Sequence, residues 1–391
     1  MSRYYNTILS MNLVTIEEFL DLFESSPADN MNLDDFIEKY KVVTGNKEQS
    51  LKDYMKGKSI NREHLKLILE NIQNRKKYLK RFYNMSLRVN DKNDTIHNNI
   101  TAMSSIFDNN KGVIYKNLIR NLHFWDILQN TKSGFENTPT YMSIINNLYK
   151  NNKIDYKILT PSALHYIKNG RIGSVFSSFY FRASILNPYL IYSLNVNVLK
   201  GTKIFTPTLG WSSYAKGFVE SPGVIEYVGT DVIPDVCKKT KQLLEKFEIK
   251  SDIYCKPSED LYKSKAFLRK YKAHFDVVFF SPPYYRLELY QSDNQSTTRY
   301  KDYHDWLTSY WESTIKLCQH VLEKDGKLCY ILSDYGSKNT SKKFNLVEDM
   351  NNIAKKYFQF TSMQTMQNKN VHSTKHRETG EQIVIFSKID K

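Results

Sequence analysis

The sequence of 391 residues is poor in cysteine, and its four cysteines are widely separated. They form neither a CxxC pair nor a spacing that is typical of disulfide-stapled domains, so no disulfide framework is expected. This absence favours a reducing, intracellular compartment. The four residues are Cys237, Cys255, Cys318 and Cys329.

Long apolar runs are also missing. No stretch reaches the roughly 18–20 residues that a membrane-spanning helix needs. The N-terminal region is polar and carries Glu17 and Glu18, without the pattern of a secretory signal peptide. Neither membrane insertion nor secretion is therefore expected.

Acidic residues are outnumbered by basic ones. Lys and Arg total 56 against 41 for Asp and Glu, which gives a formal net charge of +15. A field of this sign favours polyanionic partners, nucleic acid above all. The alternative is compositional, because a chain rich in lysine and asparagine can reflect an AT-rich genome. The length leaves room for a catalytic domain and a second domain.

From about residue 200 onward, short apolar strands alternate with amphipathic helical stretches. Helices are predicted at about 234–246, 259–271, 303–322 and 343–356, and the third ends before a turn at Lys324–Gly326. Such alternation predicts an α/β fold with a doubly wound, mostly parallel sheet. The predicted strands are Lys203–Thr206, Ile225–Val228, Asp252–Cys255, Phe275–Phe280, Lys327–Leu332, Tyr357–Met366 and Glu381–Ser387.

One of these strands ends in an unusual turn. The apolar run Val277–Phe280 passes directly into Ser281, Pro282, Pro283 and Tyr284. Each proline fixes φ near about −65°, which holds the neighbouring carbonyls in set directions. The turn therefore presents a hydroxyl, a backbone carbonyl and an aromatic face, the groups needed to hold a flat, amino-bearing ring. The alternative is that the two prolines only terminate the strand.

Three other strands end in segments that suit a ligand. In parallel sheets, ligands bind beyond the carboxyl ends of the strands, where the strand order reverses. Gly210, in the loop that follows Thr206, lets a ligand approach the backbone closely. Asp231 stands at the next strand tip, where a carboxylate can accept both hydroxyls of a ribose, or can simply belong to a helix N-cap region. Glu259 and Asp260 follow the third strand, where they place polar groups for an adenine amino group.

Together these features resemble a class I, S-adenosylmethionine-dependent DNA amino-methyltransferase over about residues 173–388, a little over half of the chain. Ser281–Tyr284 matches the (Asp/Asn/Ser)-Pro-Pro-(Tyr/Phe) motif of enzymes that methylate exocyclic amines of adenine or cytosine. The cofactor half precedes the catalytic half, as in the γ arrangement, and the type is that of stand-alone methylases of phages and large DNA viruses. The similar stretches are Phe181–Pro188, Leu209–Ser213, Tyr227–Asp231 and Ser281–Tyr290, with Gln295, Ser296, Tyr300, Trp306 and Leu307 behind them.

The resemblance implies a Rossmann-like, seven-stranded methyltransferase sheet that ends in a C-terminal β-hairpin. It implies S-adenosyl-L-methionine as cofactor, DNA as substrate with RNA not excluded, and the cytoplasm, a nucleoid or a viral factory as location. The implied catalytic residues are Ser281, Pro282, Pro283 and Tyr284. The implied cofactor contacts are Thr206, Leu209, Gly210, Asp231, Glu259 and Asp260.

The implied reaction is direct methyl transfer to an exocyclic amine. The amine would donate to Ser281 Oγ and to the Pro282 carbonyl, and the extruded base would stack on Tyr284. Serine in the first motif position is associated more with cytosine N4 than with adenine N6, so the base stays open. Thr206 departs from the family, which usually has an acidic residue there. An active enzyme and a degenerate fold that binds nucleic acid or a partner subunit therefore both stay open.

Residues 1–170 resemble no family, and their pattern is mainly helical. Apolar residues at helical spacing predict helices at Glu17–Phe23, Leu33–Tyr40 and Arg62–Arg81. Residues 51–90 hold 11 basic residues and three acidic ones, an excess of 11 − 3 = +8. Bases interleaved with aromatics suit phosphate contact and stacking, whereas the alternative is a solvated helix face with the aromatics packed inward. The candidate phosphate contacts are Arg75, Lys76, Lys77 and Arg81.

Polar, turn-prone segments predict a linker near residues 88–112. The predicted division is a basic helical domain over 1–110, a helical connector over 111–172 and a methyltransferase domain over 173–391. A partner subunit or a homodimer stays open.

The loop of the C-terminal hairpin carries two histidines and three cations. His372 and His376 have the spacing of two metal ligands but lack a third, so no metal site is predicted. Lys369, Lys375 and Arg377 are predicted to contact nucleic acid instead.

Overall fold

The structure is a computed structural model that describes residues 11–58, 60–90, 94–134, 138–337, 342–368 and 380–389. The chain forms two compact units, each built from separate parts of the sequence. The helical unit consists of Leu13–Arg88 and Phe124–Ser184. The sheet unit consists mainly of Val89–His123 and Ile185–Lys391. This division differs from the predicted ranges 1–110, 111–172 and 173–391, because residues 89–123 pack with the sheet rather than forming a linker.

Several helices of the helical unit begin at a side-chain cap. The Thr15 hydroxyl accepts the N–H of Glu18, whose carboxylate accepts the N–H of Thr15, so the two form a capping box. The side chains of Asn32, Asn61 and Thr160 each cap a later helix by accepting one backbone N–H of its first turn. The α-helices are Ile16–Asp21, Leu33–Lys39, Leu51–Lys56, Arg62–Gln73, Arg75–Ser86, Tyr141–Lys150, Pro161–Lys168 and Ile172–Phe179, with a π turn at Asp126–Asn130 and a 3-10 turn at Tyr156–Leu159.

A small sheet, which the sequence pattern did not predict, lies among these helices. Strand β1 (Lys41–Thr44) pairs antiparallel with β2 (Lys47–Ser50) through a turn at Gly45, whose φ is 61°. β1 also pairs in parallel with β4 (Lys153–Asp155). The short strand β3 is Lys132–Ser133.

The predicted helix Arg62–Arg81 is two helices that break at Asn74. The break turns Arg75 inward, where only 4% of it is exposed. All five guanidinium donors are occupied: by the carbonyls of Phe23, Glu24 and Ile72 and by both carboxylate oxygens of Asp29. Burial raises the pKa of Asp29, but the hydrogen bonds from Arg75 and from the N–H of Ser26, together with the Arg75 charge, lower it on balance. The predicted phosphate contact of Arg75 is therefore wrong, because no donor is left for a phosphate.

The sheet unit contains a seven-stranded sheet in the order β13-β14-β10-β8-β5-β6-β7. Only β14 runs against the other strands, and it forms a terminal hairpin with β13. This is the Rossmann-like methyltransferase sheet that the sequence predicts. The strands are β5 (Lys203–Thr206), β6 (Glu226–Asp231), β7 (Lys250–Cys255), β8 (Phe275–Phe280), β10 (Leu322–Leu332), β13 (Phe358–Thr365) and β14 (Gln382–Lys388).

The sheet unit also contains short strands outside the seven-stranded sheet, together with its helices. β9 is Glu288–Leu289, and β11 (Tyr335–Ser337) pairs with β12 (Lys342–Phe344). The α-helices are Tyr115–Leu122, Pro188–Leu194, Ser213–Val219, Pro234–Leu244, Ser258–Leu261, Lys265–Lys270, Ser296–Arg299, Tyr303–Asp305, Ser313–Val321 and Leu346–Ala354, with π turns at Asn195–Leu199 and Trp306–Glu312.

The turn predicted at Lys324–Gly326 lies inside strand β10. The strand begins at Leu322, and its register with β8 shifts between Leu322 and Lys327. Asp325 has a φ of 61° within this shift. The turn-forming residues therefore produce a β-bulge inside β10. They do not form a separate turn before the strand.

The segment Val89–His123 is fixed to the sheet unit by a buried ion pair. Lys216 pairs with Glu220, and both side chains are at most 2% exposed. Lys216 also donates to the carbonyl of Asp94, and Glu220 accepts the N–H of Ile96. Burial raises the pKa of Glu220, but Lys216 and the His97 side chain lower it on balance. These contacts tie the segment to the helix Ser213–Val219 and the residue after it, within the sheet unit.

In the described part of the chain, no helix combines the length and the apolar character that crossing a membrane requires.

Candidate active site

The strand order reverses between β5 and β8, which are parallel neighbours. Their carboxyl ends therefore bring the loop after Thr206 next to the turn after Phe280. Two hydrogen bonds join the loop and the turn. The Tyr214 hydroxyl accepts the N–H of Ser281 at 3.2 Å, and the Thr208 hydroxyl donates to the Ser281 carbonyl at 3.3 Å.

The loop after β5 is a left-handed turn. Gly210, Trp211 and Ser212 have φ values of 51°, 60° and 65°. A Cβ at Gly210 would lie 2.2 Å from Cζ of Tyr214, so only glycine fits beneath that ring. Ser212 is held in place by a buried chain of hydrogen bonds, because its hydroxyl lies 2.8 Å from Nε2 of His123 and 2.7 Å from the Thr240 hydroxyl.

Thr206 is fully buried and faces inward. Its hydroxyl lies 2.7 Å from the hydroxyl of Tyr227 on the neighbouring strand. A Cβ at Gly229 would lie 2.7 Å from the same Thr206 oxygen, so there is little room for a longer side chain. The position that is acidic in the family is thus a neutral hydrogen-bonded pair here.

Asp231 organises the loop ends at the tip of β6. One carboxylate oxygen accepts the N–H of Leu209 at 3.0 Å. The other accepts the N–H groups of Val232 at 2.8 Å and Ile233 at 3.1 Å. Burial raises the pKa of Asp231 above its ordinary value, although the three N–H donors oppose the rise. The carboxylate keeps lone pairs in excess of these three bonds, which fits the predicted role of accepting ribose hydroxyls.

Glu259 and Asp260 follow β7 and are clamped by one arginine. Arg299 donates to Glu259 at 2.7 Å and to Asp260 at 2.9 Å. Burial raises the pKa of Glu259, whereas at Asp260 burial is opposed by Arg299 and Lys263, which together lower the pKa on balance. The pattern of the sequence did not single out Arg299, whose contacts lie about forty positions away in the chain.

The turn after β8 leaves two acceptors open. Among the residues that the structure describes, neither Ser281 Oγ nor the carbonyl of Pro282 makes a hydrogen bond. Tyr284 is held behind them. Its ring stacks on Tyr335 at 6.0 Å between centroids, and its hydroxyl lies 3.5 Å from that of Ser333. The predicted catalytic residues are thus together at one turn, and Tyr335 is an addition that the sequence did not reveal.

The segment that follows the turn lies against the cofactor-side loops. The Ser292 hydroxyl donates to the carbonyl of Val232 at 2.9 Å. The ring of Tyr290 contacts that of Trp211 at 5.8 Å between centroids. Together with the Arg299 clamp, these contacts bring residues 290–299 to the loops after β5, β6 and β7. The site is therefore bounded by the two halves of the sheet and by this segment.

The remaining predicted contacts lie elsewhere. Lys76, Lys77 and Arg81 are exposed on the helix Arg75–Ser86 of the helical unit. The cations Lys369, Lys375 and Arg377, and the histidines His372 and His376, lie outside the described residues.

Comparison with known proteins gives one family match. A family model described as DNA methylase matches residues 275–391, from the first residue of β8 onward. The sheet unit has the methyltransferase fold. The match confirms the resemblance to DNA amino-methyltransferases over this part of the chain, and DNA methylases of this family use S-adenosylmethionine. No curated protein sequence matches the chain.

Two solved structures show a distant likeness to this methyltransferase fold. The N-methyltransferase NodS from Bradyrhizobium japonicum WM9, in complex with S-adenosyl-L-homocysteine, is 12% identical, with 51% of this chain and 84% of that chain covered and a TM-score of 0.35. TrmN from Thermus thermophilus is 10% identical, with 52% of this chain and 49% of that chain covered and a TM-score of 0.34. Likenesses at these TM-scores carry no weight for the function of this chain.

Proposed function

We propose that the protein transfers the methyl group of S-adenosylmethionine to an exocyclic amine of a DNA base, cytosine N4 or adenine N6. The observation that carries the proposal is the pair of open acceptors, Ser281 Oγ and the Pro282 carbonyl, at the carboxyl end of β8. An amine with two N–H groups is the donor that such a pair accepts. Hydrogen bonds from the amine to both acceptors favour a tetrahedral nitrogen. In that geometry the nitrogen lone pair is no longer delocalised into the ring.

The protein's contribution is mainly alignment. Ser281 is fixed through its backbone by Tyr214 and Thr208, and the prolines restrict the turn, so the amine would meet acceptors that are already in place. Tyr284, supported by Tyr335, offers a ring on which an extruded base can stack. The bound cofactor supplies an activated methyl group with a good leaving group.

The chain's own residues fit that cofactor at the tips of β5 and β6. Asp231 would accept the ribose hydroxyls, and Gly210 and Leu209 would line the path of the cofactor along the backbone. Thr206 would contribute shape only, because Tyr227 occupies its hydroxyl. Glu259 and Asp260 stay the proposed contacts to the adenine side, held in position by Arg299.

The direct test is transfer of a labelled methyl group to DNA, followed by mass analysis of the nucleosides. N4-methylcytosine or N6-methyladenine is expected with the wild type. Ser281→Ala should lower turnover more than cofactor affinity, because the lost acceptor strengthens as the nitrogen becomes tetrahedral. Tyr284→Ala should raise the KM for DNA, since base stacking contributes about 1–3 kcal/mol.

Ser309→Ala is the matched control for the serine, because Ser309 lies in the π turn Trp306–Glu312 and bonds Asp305 instead. Methyl incorporation that survives both Ser281→Ala and Tyr284→Ala at the wild-type rate would show that the turn only ends a strand.

A second function is favoured by one specific observation. Because Thr206 is neutral and paired with Tyr227, the fold lacks the family's usual acid, and it could bind nucleic acid or a partner subunit without chemistry. Calorimetric titration with S-adenosylmethionine separates the two functions. Heat of binding supports the enzyme, whereas its absence at millimolar cofactor together with retained DNA binding supports the degenerate fold.

Nucleic-acid binding is proposed to depend on exposed cations that include Lys76, Lys77 and Arg81. Contact with roughly five phosphates would make log K fall with log salt at a slope of about −4 to −5. Replacing the three cations by alanine should flatten this slope. DNA and RNA of the same sequence, compared side by side, identify the preferred substrate.

A further inference from the structure

Arg286, which follows the turn with the open acceptors, has a left-handed backbone conformation. The N–H of Leu287 donates to the carbonyl of Tyr284 at 3.3 Å, which closes a tight turn with Arg286 as its third residue. Arg286 has a φ of 59°. Turns of this kind favour glycine at that position, because a side chain in the left-handed region costs about 1–2 kcal/mol. A residue kept in such a conformation beside a site is a reason to look for its function.

The residue before it explains how the turn is held. The Tyr285 hydroxyl donates to the carbonyl of Lys301. Its ring contacts those of Tyr303, Trp306 and Phe344 at 5.2–5.7 Å between centroids. Tyr285 is therefore anchored in an aromatic cluster, and this anchor determines where the next residue lies.

Arg286 itself is exposed. It makes neither a hydrogen bond nor an ion pair with any residue that the structure describes. Burial raises the pKa of Tyr335, and the charge of Arg286 partly opposes that rise. Tyr335 is the ring that stacks on Tyr284. The turn that closes on the Tyr284 carbonyl therefore presents, two residues from the ring that the proposed function assigns to the base, a guanidinium without a partner among the described residues.

We infer that Arg286 binds the backbone phosphate next to the base that enters the site. The inference rests on the proposed function, which brings a nucleotide to Ser281 and Tyr284. A nucleotide whose base stacks on Tyr284 would keep its phosphate near the exposed turn that carries Arg286. The planar fork of arginine matches a phosphate with two parallel hydrogen bonds, which a lysine cannot reproduce. Phosphodiesters of DNA and RNA share this chemistry.

The test uses three variants of the full chain. Arg286→Gly removes the charge and suits the left-handed turn, so it separates loss of charge from loss of fold. Arg286→Lys keeps the charge without the fork. Arg269→Ala is the matched control, because Arg269 is likewise exposed and makes no ion pair with a described residue, but lies on the helix Lys265–Lys270.

Binding to fluorescent mixed-sequence DNA is measured over a salt series, with S-adenosylhomocysteine present, and repeated with RNA. Arg286→Gly is expected to bind about tenfold more weakly at low salt, with a slope of log K against log salt that is smaller by about 0.9 for a duplex or about 0.7 for a single strand. Arg286→Lys should keep most of the slope, and Arg269→Ala should bind like the wild type. The nucleic acid on which the loss is larger is the one that Arg286 contacts.

Wild-type affinity and slope in Arg286→Gly would overturn the inference, and so would equal losses in Arg286→Gly and Arg269→Ala. If the wild type still methylates DNA in either case, the proposed function stands without this contact. A wild type that binds neither DNA nor RNA would overturn the inference and the proposed function together.

Discussion

The hydroxyl of Tyr214 lies 3.2 Å from the backbone nitrogen of Ser281, and it accepts that N–H. Tyr214 lies in the helix Ser213–Val219, directly after the loop that is proposed to bind the cofactor. Ser281 begins the turn that carries the open acceptors. One buried side chain therefore connects the two halves of the site. A change that displaces this ring should disturb methyl transfer even if no substrate contact is removed.

Gly210→Ala should displace the Tyr214 ring. The new Cβ would lie 2.2 Å from Cζ of Tyr214, and the φ of 51° is unfavourable for alanine. We expect a loss of about 2–5 kcal/mol in the free energy of unfolding, together with a loss of methyl transfer. Gly223→Ala is the control, since Gly223 has a φ of 86° but open space around it, and should cost about 1–2 kcal/mol. Urea unfolding of both variants measures the two losses of unfolding free energy. Equal losses would contradict the crowding of the Tyr214 ring by a Cβ at position 210.

Thr206→Val should destabilise the protein through Tyr227. The substitution keeps the shape but leaves the Tyr227 hydroxyl buried without its 2.7 Å partner, which costs about 1–3 kcal/mol. Adding Tyr227→Phe removes the orphaned hydroxyl and should recover most of that loss. A double-mutant cycle by urea unfolding measures the coupling. Additive single effects would mean that the two hydroxyls do not interact.

Cofactor binding should depend on pH through Asp231. Burial raises its pKa in the folded state above the ordinary 3.8, so the folded state holds this proton more tightly than the unfolded state. The contribution of Asp231 to stability therefore falls as pH rises from 3.8 through the folded pKa. Affinity should change in the opposite direction, because the ionised carboxylate is the better acceptor for ribose hydroxyls.

Calorimetry with S-adenosylhomocysteine across the acid range measures this dependence. Asp231→Asn should weaken binding by about 1.5–3 kcal/mol for each charged hydrogen bond lost and should abolish the pH dependence. A pH dependence that persists in Asp231→Asn would assign the titration to another group.

Alanine substitutions at Arg75 and at Lys77 should have opposite effects: the first on stability alone, the second on the salt dependence of DNA binding alone. Arg75→Ala removes five buried hydrogen-bond donors and should destabilise the helical unit by about 3 kcal/mol, without changing the salt slope of DNA binding. Lys77→Ala should change stability by no more than about 0.5 kcal/mol and reduce that slope, because Lys77 is exposed. Thermal unfolding and salt titration of both variants test the pair. A reduced slope in a folded Arg75→Ala protein would contradict its structural role.

Much of the sheet could be predicted because its strands are short runs of β-prone residues bounded by turns. Lys203–Thr206 and Phe275–Phe280 have the predicted bounds. The motif Ser281–Tyr284 was recognisable because its chemistry lies in neighbouring residues. Tyr335 could not be found in this way, since it meets Tyr284 only through the hairpin β11–β12.

The helical unit was harder to predict for two physical reasons. Periodicity is local, so it indicated helices but not the pairing of β1 with β4, which lie more than a hundred residues apart. It also gave no sign that residues 124–184 join residues 13–88. Arg75 was misplaced because a single break at Asn74 rotates it from an exposed basic row into the core.

The interleaved order of the two units has a consequence for synthesis. Chains fold from the N-terminus as they leave the ribosome. All parts of the helical unit have been synthesised once Ser184 is made, whereas Val89–His123 must wait for Lys216 and Glu220 before its polar groups find these partners. The helical unit is therefore the one that can be completed first. An expression fragment that starts at residue 173 would leave the Lys216–Glu220 pair without Asp94 and Ile96. A gene for the sheet unit alone therefore has to encode residues 89–123 as well, joined directly to the rest of that unit.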